Sequence, residues 1–113
     1  MTHEKLKQLD HQYVVQTYGR FDVDIDHGRG ATLYSLDGRE YIDFTSGIGV
    51  CSIGHANPRW VEAVAAQAAK LGHISNLYYT QPYAQLARTL CERSGMAAAF
   101  FGNSGAEGNE GLI

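Results

Sequence analysis

The sequence predicts an α/β fold in which an N-terminal helix and short antiparallel strands precede two helices and the first strand of a large, mainly parallel sheet. Three observations predict it: a helical spacing of apolar residues near the N-terminus, alternating residues around an Asp-Gly pair, and an apolar run followed by a glycine-rich turn. Sheets of this class bind ligands at the carboxyl ends of their strands. The glycine-rich turn is therefore the first candidate binding site.

Composition narrows the possible functions. The chain has 113 residues, 44% of them hydrophobic, and a formal net charge of -3 with interspersed signs, which excludes a basic surface for nucleic acid and a polybasic membrane anchor. The start Met1–Lys5 lacks the apolar stretch of a signal peptide, so we expect a cytoplasmic protein. Cys51 and Cys91 have no metal-ligand spacing, and we expect two reduced, packed thiols and no metal site.

The first half of the chain predicts a helix followed by a hairpin. Apolar residues at helical spacing indicate a helix over residues 3–16, which needs a partner for its apolar stripe and acts as a docking arm. The alternating segments Ala31–Leu36 and Arg39–Phe44 flank Asp37-Gly38 and predict two strands. An Asp-Gly pair favours a type I′ turn, in which both residues have positive φ.

The segment Thr45–His55 carries three glycines among small residues without a regular period, which predicts a loop that lines a pocket. His55 has no evident serine, cysteine or carboxylate partner nearby. We therefore expect it to be a turn histidine that packs or hydrogen-bonds locally. His27 is likewise expected to have a structural role only.

Two amphipathic helices are predicted next. Asn57 is a good N-cap and Pro58 suits the first helical position, and apolar residues then recur at helical spacing until Gly72. A second helix is expected to begin near Thr80 and to end at Gly95. Both helices direct an apolar face towards a core.

The C-terminal stretch predicts a strand, a turn and a helix start. The apolar run Ala97–Phe101 suits a short buried strand, and Ser104 with Glu107 forms a capping box in which the Glu107 carboxylate returns to the amide of Ser104. This arrangement leaves the amides of Gly105 and Ala106 unpaired at the positive end of a helix, where they can hold a phosphate. The simpler alternative is a well-capped helix without a ligand, and local physics favours neither reading.

Five motifs resemble, in order and spacing, the class III aminotransferases, which use pyridoxal phosphate (PLP). They are Asp37–Phe44, Ser46–Val50, Gly54–Pro58, Ser75–Thr80 and Asn103–Glu110. The resemblance covers nearly the whole chain and is strongest to the acetylornithine type. It implies the N-terminal part of a fold-type I PLP-dependent transferase, with residues 1–57 as an N-terminal arm and part of the small domain, and residues 58–113 as the beginning of the large PLP-binding domain.

The resemblance also implies three groups of site residues. They are Ser104, Gly105 and Ala106 at the cofactor phosphate, Gly47, Ile48 and Gly49 at the substrate pocket, and Asn76, Leu77 and Tyr78 at a homodimer interface. Position 48 carries a tyrosine in ornithine-specific relatives. An isoleucine there makes the chain look less like an ornithine enzyme. The likeness to the acetylornithine type implies N-acetylornithine as the amino donor and 2-oxoglutarate as the acceptor, in arginine biosynthesis.

The resemblance places the lysine that forms the Schiff base with PLP well downstream of the phosphate loop, and none of Lys5, Lys7 and Lys70 matches it. We therefore expect no catalytic residue in this chain, which is predicted to be the truncated N-terminal portion of a longer enzyme and to be inactive alone. Two alternatives stay open. One is another class III aminotransferase, of the succinyldiaminopimelate, ornithine or 4-aminobutyrate type, and the other is a small non-catalytic domain that binds an anion or a partner.

Overall fold

The computed structural model describes residues 1–113, which form two compact units, Met1–Lys70 and Leu71–Ile113. In chain order the elements are α1 (His3–Tyr13), β1 (His27–Arg29), β2 (Thr32–Tyr34), β3 (Glu40–Ile42), α2 (Ser46–Gly49), α3 (Pro58–Lys70), α4 (Gln81–Ser94) and α5 (Gly105–Glu110). The longest helix has 14 residues, and no helix is both long and apolar enough to cross a membrane.

Helix α1 is shorter than the sequence predicts, because Val14 already has the extended conformation (φ -104°, ψ 132°). Its N-terminus is capped by Thr2, whose hydroxyl accepts a hydrogen bond from the amide of Lys5 at 3.3 Å. Asp22 lies 2.8 Å from both His3 Nε2 and Lys7 Nζ. The hydrogen bond to Asp22 raises the pKa of His3. Ionic contacts therefore attach this helix to the segment that follows it.

The three strands form one antiparallel sheet in the order β1-β2-β3. Gly28 pairs with Leu33, and Leu33 pairs in turn with Tyr41. At the sheet edge the ring of His27 stacks on that of Tyr34, with centroids 4.6 Å apart. The predicted hairpin is confirmed, and a further short strand, β1, precedes it.

The hairpin turn differs from the predicted type I′ turn. Gly38 has a φ of +83°, but Asp37 is not among the residues with positive φ. The amide of Gly38 donates to the carbonyl of Ser35 at 2.9 Å, and the amide of Ser35 donates to the carbonyl of Arg39 at 3.0 Å. This is a three-residue loop whose last residue is a left-handed glycine, a form that spares Asp37 a left-handed conformation.

Both amphipathic helices begin and end close to their predicted limits. The side-chain oxygen of Asn57 accepts hydrogen bonds from the amides of Arg59 and Trp60 at 3.1 and 3.3 Å, which confirms it as the N-cap of α3. Helix α4 ends at Gly95, whose φ of 73° and hydrogen bond to the carbonyl of Cys91 form a left-handed cap.

The prediction of a strand over Ala97–Phe101 is wrong for this chain, in which these residues are neither helix nor strand. A strand is defined by hydrogen bonds to a neighbour, and all three strands of the chain already pair with one another in the small sheet. Phe101 instead packs its ring edge-on against Tyr83, with centroids 4.9 Å apart, and Phe100 is 74% exposed.

The chain has no hydrophobic core of its own. The only buried residue is Ser35, at 4% exposure, and apolar residues of α3 and α4, such as Val64 and Leu86, are about half exposed. Burial of apolar surface is the main favourable contribution to folding. The apolar faces that the sequence predicts are therefore present, but nothing within the chain buries them.

Candidate active-site loops

The first candidate loop is the turn that leads into α5. Ser104 has an extended backbone (φ -146°, ψ 162°), and its hydroxyl accepts a hydrogen bond from the amide of Glu107 at 3.2 Å. This is the N-cap that the sequence predicts, because a serine oxygen replaces the carbonyl that the first turn of a helix lacks.

The predicted hydrogen bond from the Ser104 amide to the Glu107 carboxylate is wrong. The Glu107 carboxylate accepts a hydrogen bond from the amide of Asn103, not from that of Ser104. It reaches this position by folding over Gly102, where a Cβ atom would lie 3.1 Å from the Glu107 Cβ and 3.2 Å from its carboxylate. The missing side chain at Gly102 therefore allows the carboxylate to reach one residue further back.

The amides of Gly105 and Ala106 donate no hydrogen bond to the chain, and both residues are exposed. A Cβ atom added to Gly105 would meet nothing within 4 Å, so the space beside the Gly105 Cα is open. Unpaired amides at the first turn of a helix attract anions. The loop therefore fits the phosphate group of a cofactor, with the hydroxyl of Ser104 next to it in sequence.

The second candidate loop contains α2, which the sequence predicts only as a loop without a regular period. Its four residues, Ser46, Gly47, Ile48 and Gly49, have φ values of 48°, 60°, 64° and 79°. They form one left-handed turn, a conformation that costs a non-glycine residue roughly 1–2 kcal/mol. Ile48 adopts this unfavourable conformation although it is β-branched, and its side chain, which is 96% exposed, gains no burial in return. Such strain persists only where surrounding contacts hold it, and it is common at ligand sites.

Asp43 holds the start of this turn. One carboxylate oxygen accepts hydrogen bonds from the Thr45 amide at 2.9 Å, the Thr45 hydroxyl at 2.8 Å and the Ser46 amide at 2.8 Å. The other oxygen lies 2.7 Å from His55 Nε2, and the Asp43 side chain is only 4% exposed. The hydrogen bond from His55, followed by that from the Thr45 hydroxyl, holds the pKa of Asp43 well below its usual range.

The prediction that His55 lacks a carboxylate partner is wrong. Its partner is Asp43, twelve residues earlier, and the backbone of His55 also pairs with Gly30 through two hydrogen bonds of 2.8 and 2.9 Å. No local pattern signals this contact, because the sheet brings the two residues together. An aspartate at the end of one strand and a histidine at the end of a glycine-rich loop are the only hints that the sequence contains.

Two glycines allow the loop to approach the sheet. A Cβ atom on Gly28 would lie 2.8 Å from the Cβ and Cγ atoms of His55, and one on Gly54 would lie 3.1 Å from the backbone of Gly30. Gly54 also has a φ of 78°. The histidine and the end of the loop therefore pack at distances that side chains at these two positions would prevent.

Comparison with known proteins identifies the family. The family described as Aminotransferase class-III matches residues 13–113. The chain belongs to the class III aminotransferases. Over all of its 113 residues it is 55% identical to the acetylornithine aminotransferase of Haemophilus ducreyi, and it covers 29% of that protein. The chain thus spans less than a third of the length of this relative.

Solved structures of class III aminotransferases confirm the predicted α/β fold. The crystal structure of acetylornithine aminotransferase from Elizabethkingia anophelis matches 99% of the chain and 29% of its own, with a TM-score of 0.94 and 28% identity. Taurine:2-oxoglutarate aminotransferase from Bifidobacterium kashiwanohense, solved in complex with PLP and glutamate, matches 100% of the chain and 27% of its own, with a TM-score of 0.88 and 28% identity.

The third group of predicted residues in this class III chain, Asn76, Leu77 and Tyr78, lies in a turn before α4. Ser75, just before them, has a φ of 71°, and its hydroxyl accepts a hydrogen bond from the amide of Leu77 at 3.4 Å. The side chains of Leu77 and Tyr78 are 83% and 64% exposed. Their place at a dimer interface stays a prediction.

The remaining polar groups form no metal centre. The structure contains no group of three His, Cys, Asp or Glu side chains arranged to hold a metal ion. His27 contacts only Asp26 among the carboxylates, at 2.8 Å, and both cysteines are free thiols.

Proposed function

We propose that the chain is the N-terminal part of an acetylornithine aminotransferase, which transfers an amino group from N-acetylornithine to 2-oxoglutarate with PLP as cofactor. The observation that carries this proposal is the 55% identity, over the whole chain, to a protein of that name. The complete enzyme is proposed to be a cytoplasmic homodimer of arginine biosynthesis. The alternatives, another class III activity or a non-catalytic domain, are not favoured by this similarity.

The cofactor phosphate binds at the first turn of α5 in this proposal. The open amides of Gly105 and Ala106 donate to phosphate oxygens, and the hydroxyl of Ser104 is the third donor. Bound PLP supplies the electron sink and carries the amino group between the two substrates. The chain contributes binding and orientation, because the amides lie on a helix whose cap fixes their direction.

The substrate side of the cofactor is proposed to lie against Gly47, Ile48 and Gly49. Support comes from the left-handed turn, which presents the Ile48 side chain to solvent at 96% exposure. An isoleucine here lacks the hydroxyl of the tyrosine that ornithine-specific relatives carry at this position. We propose that this position disfavours ornithine and accepts the acetylated donor.

Asn76, Leu77 and Tyr78 are proposed to contact a second copy of the chain in the complete enzyme. The exposure of Leu77 and Tyr78 supports this role, because aromatic and aliphatic side chains are enriched at the buried centre of interfaces. The division into residues 1–57 and 58–113, as parts of a small and a large domain, belongs to the same proposal.

Activity of the complete enzyme tests the proposal. We expect kcat/KM with 2-oxoglutarate to be highest for N-acetylornithine among four amino donors, the others being ornithine, 4-aminobutyrate and succinyldiaminopimelate. The variant Ile48→Tyr should lower the preference for N-acetylornithine over ornithine. Higher kcat/KM for any of the other three donors in the parent enzyme would refute the proposed substrate.

A second experiment tests the proposal that the 113 residues lack a catalytic lysine. The purified chain is mixed with PLP and reduced with borohydride, and the labelled positions are identified by mass spectrometry. We expect sparse labelling spread over Lys5, Lys7, Lys70 and the N-terminus, and no transaminase activity. A single saturable adduct at Lys70 together with activity would overturn it.

A further inference from the structure

The loop that contains α2 is held at both ends by one pair of side chains. At its start, Asp43 accepts hydrogen bonds from the amides of Thr45 and Ser46 at 2.9 and 2.8 Å. At its end, His55 Nε2–H donates to the same carboxylate at 2.7 Å, because an ionised carboxylate can only accept. The Asp43 side chain is 4% exposed and that of His55 is 23% exposed. The contact is therefore largely shielded from water.

The same pair is anchored to the sheet. The backbone of His55 pairs with Gly30 in an antiparallel bridge, and its ring carbon Cγ lies only 2.8 Å from the position that a Cβ atom on Gly28 would take. Between the two anchored ends, residues 46–49 all have positive φ. A turn in this conformation keeps its position only while its ends are fixed.

We propose that Asp43 and His55 are positioning residues that fix the Ser46–Gly49 turn against the amino donor and thereby set the affinity for that substrate. This inference rests on the proposed function, in which the turn borders the substrate. It adds two residues that touch neither substrate nor cofactor and act through the backbone of the turn. Their loss changes the binding of the donor and leaves the cofactor phosphate loop, which has its own local contacts, unaltered.

The first test compares two substitutions of His55 in the complete enzyme. His55→Leu keeps the bulk of the side chain and removes the donor, whereas His55→Gln keeps an N–H group that can reach Asp43. Loss of a hydrogen bond to a charged group changes an equilibrium by about tenfold, so we expect His55→Leu to raise the KM for the amino donor by about tenfold. We expect kcat and the Kd for PLP to stay within about twofold, as when a variant loses binding that is equally strong in the ground state and the transition state. His55→Gln should restore most of the donor KM.

The second test displaces the ring without changing either residue of the pair. Gly28→Ala places a methyl group 2.8 Å from the Cβ and Cγ atoms of His55 and 2.9 Å from the flexible end of the Leu33 side chain, so both side chains must shift. Gly19→Ala is the matched control, because a methyl group there meets nothing within 4 Å. We expect Gly28→Ala to raise the donor KM in the same direction as His55→Leu, and Gly19→Ala to leave it unchanged. If His55→Leu does not fold, the comparison of Gly28→Ala with Gly19→Ala tests the inference instead.

The outcomes separate this inference from the proposed function. If the parent enzyme does not use N-acetylornithine, the proposed substrate is wrong, and the same variants are measured with the donor that it does use. If the parent is active but His55→Leu or Gly28→Ala leaves the donor KM unchanged, the inference is wrong. The inference is also wrong if these variants weaken PLP binding as much as donor binding, since the pair would then be merely structural.

Discussion

The two candidate loops of this class III chain are built in different ways. The turn before α5 is organised by neighbours: the Ser104 hydroxyl and the Glu107 carboxylate contact amides three and four residues away. The turn at Ser46–Gly49 depends on distant residues, because Asp43 binds His55 twelve residues on and His55 bridges to Gly30. The conformation of the first loop is fixed by residues close to it in sequence, and that of the second by residues of the sheet.

The two loops should differ in how strongly distant substitutions affect them. A loop shaped by a helix cap can offer its amides to a phosphate wherever the helix forms, which suits a cofactor that is common to the whole family. A loop held under strain by tertiary contacts can be altered by changes in the sheet beneath it. The loop proposed to border the substrate is therefore the part of the site that distant substitutions should affect most.

The largest expected effect comes from Gly54→Ala, which tests how closely the loop that contains α2 must approach the sheet. A methyl group there meets the backbone of Gly30 at 3.1 Å, and the residue has a φ of 78°. We expect the complete enzyme to lose about 2–4 kcal/mol of stability, measured by thermal unfolding. Gly30→Ala separates the two causes, because it has a φ of 58° but open space around it, and should cost only about 1–2 kcal/mol. Equal losses would show that the close approach is unimportant.

The next effect concerns the cofactor loop and tests whether it binds an anion at all. Gly105→Val places a branched side chain in front of the amides proposed to hold the phosphate, into space that is open in the structure. We expect the Kd for PLP to rise about tenfold or more, since a lost hydrogen bond to a charged group costs roughly 1.5–3 kcal/mol. Gly108→Val, further along the same helix in equally open space, should bind PLP as the parent does. If folded Gly105→Val also binds PLP normally, this loop is only a helix cap.

A smaller effect is expected from Ser104→Ala, which removes the cap and leaves the amides in place. Loss of an N-cap costs about 0.5–2 kcal/mol of stability, so the unfolding midpoint should fall modestly. PLP affinity should fall less than in Gly105→Val, because the serine hydroxyl is one of three proposed donors. A larger loss of PLP affinity than in Gly105→Val would move the main phosphate contact from the amides to the hydroxyl.

An acid titration tests the charge of Asp43, and near neutral pH the stability of the parent should not change with pH on its account. The folded state depresses the pKa of Asp43, so its ionised form contributes stability that is fully present above the ordinary aspartate pKa of about 3.9 and is lost as pH falls below it. Asp43→Asn should therefore be less stable than the parent at neutral pH, and the difference should shrink as the pH falls below about 4. A difference that stays constant down to the lowest pH at which the enzyme folds would show that the charge of Asp43 contributes nothing.

Much of the local structure can be predicted from the sequence alone. The caps at Asn57, Gly95 and Ser104 and the two amphipathic helices depend on contacts within about four residues, and the hairpin joins strands that are adjacent along the chain. These predictions are confirmed. The family could also be predicted, because its motifs are short stretches of sequence. Their residue types and spacing can be recognised whether or not the chain has a hydrophobic core.

Only the tertiary structure decided the rest. The pairing of Asp43 with His55, the left-handed turn at Ser46–Gly49 and the close approach of Gly28 to His55 depend on how the strands bring distant residues together. The stretch Ala97–Phe101 also shows that sequence alone is not enough. Its apolar residues suit a strand, but no neighbouring strand is present to pair with it. Caps and helical faces are settled by neighbours along the chain, whereas strands and strained loops need partners that sequence spacing does not reveal.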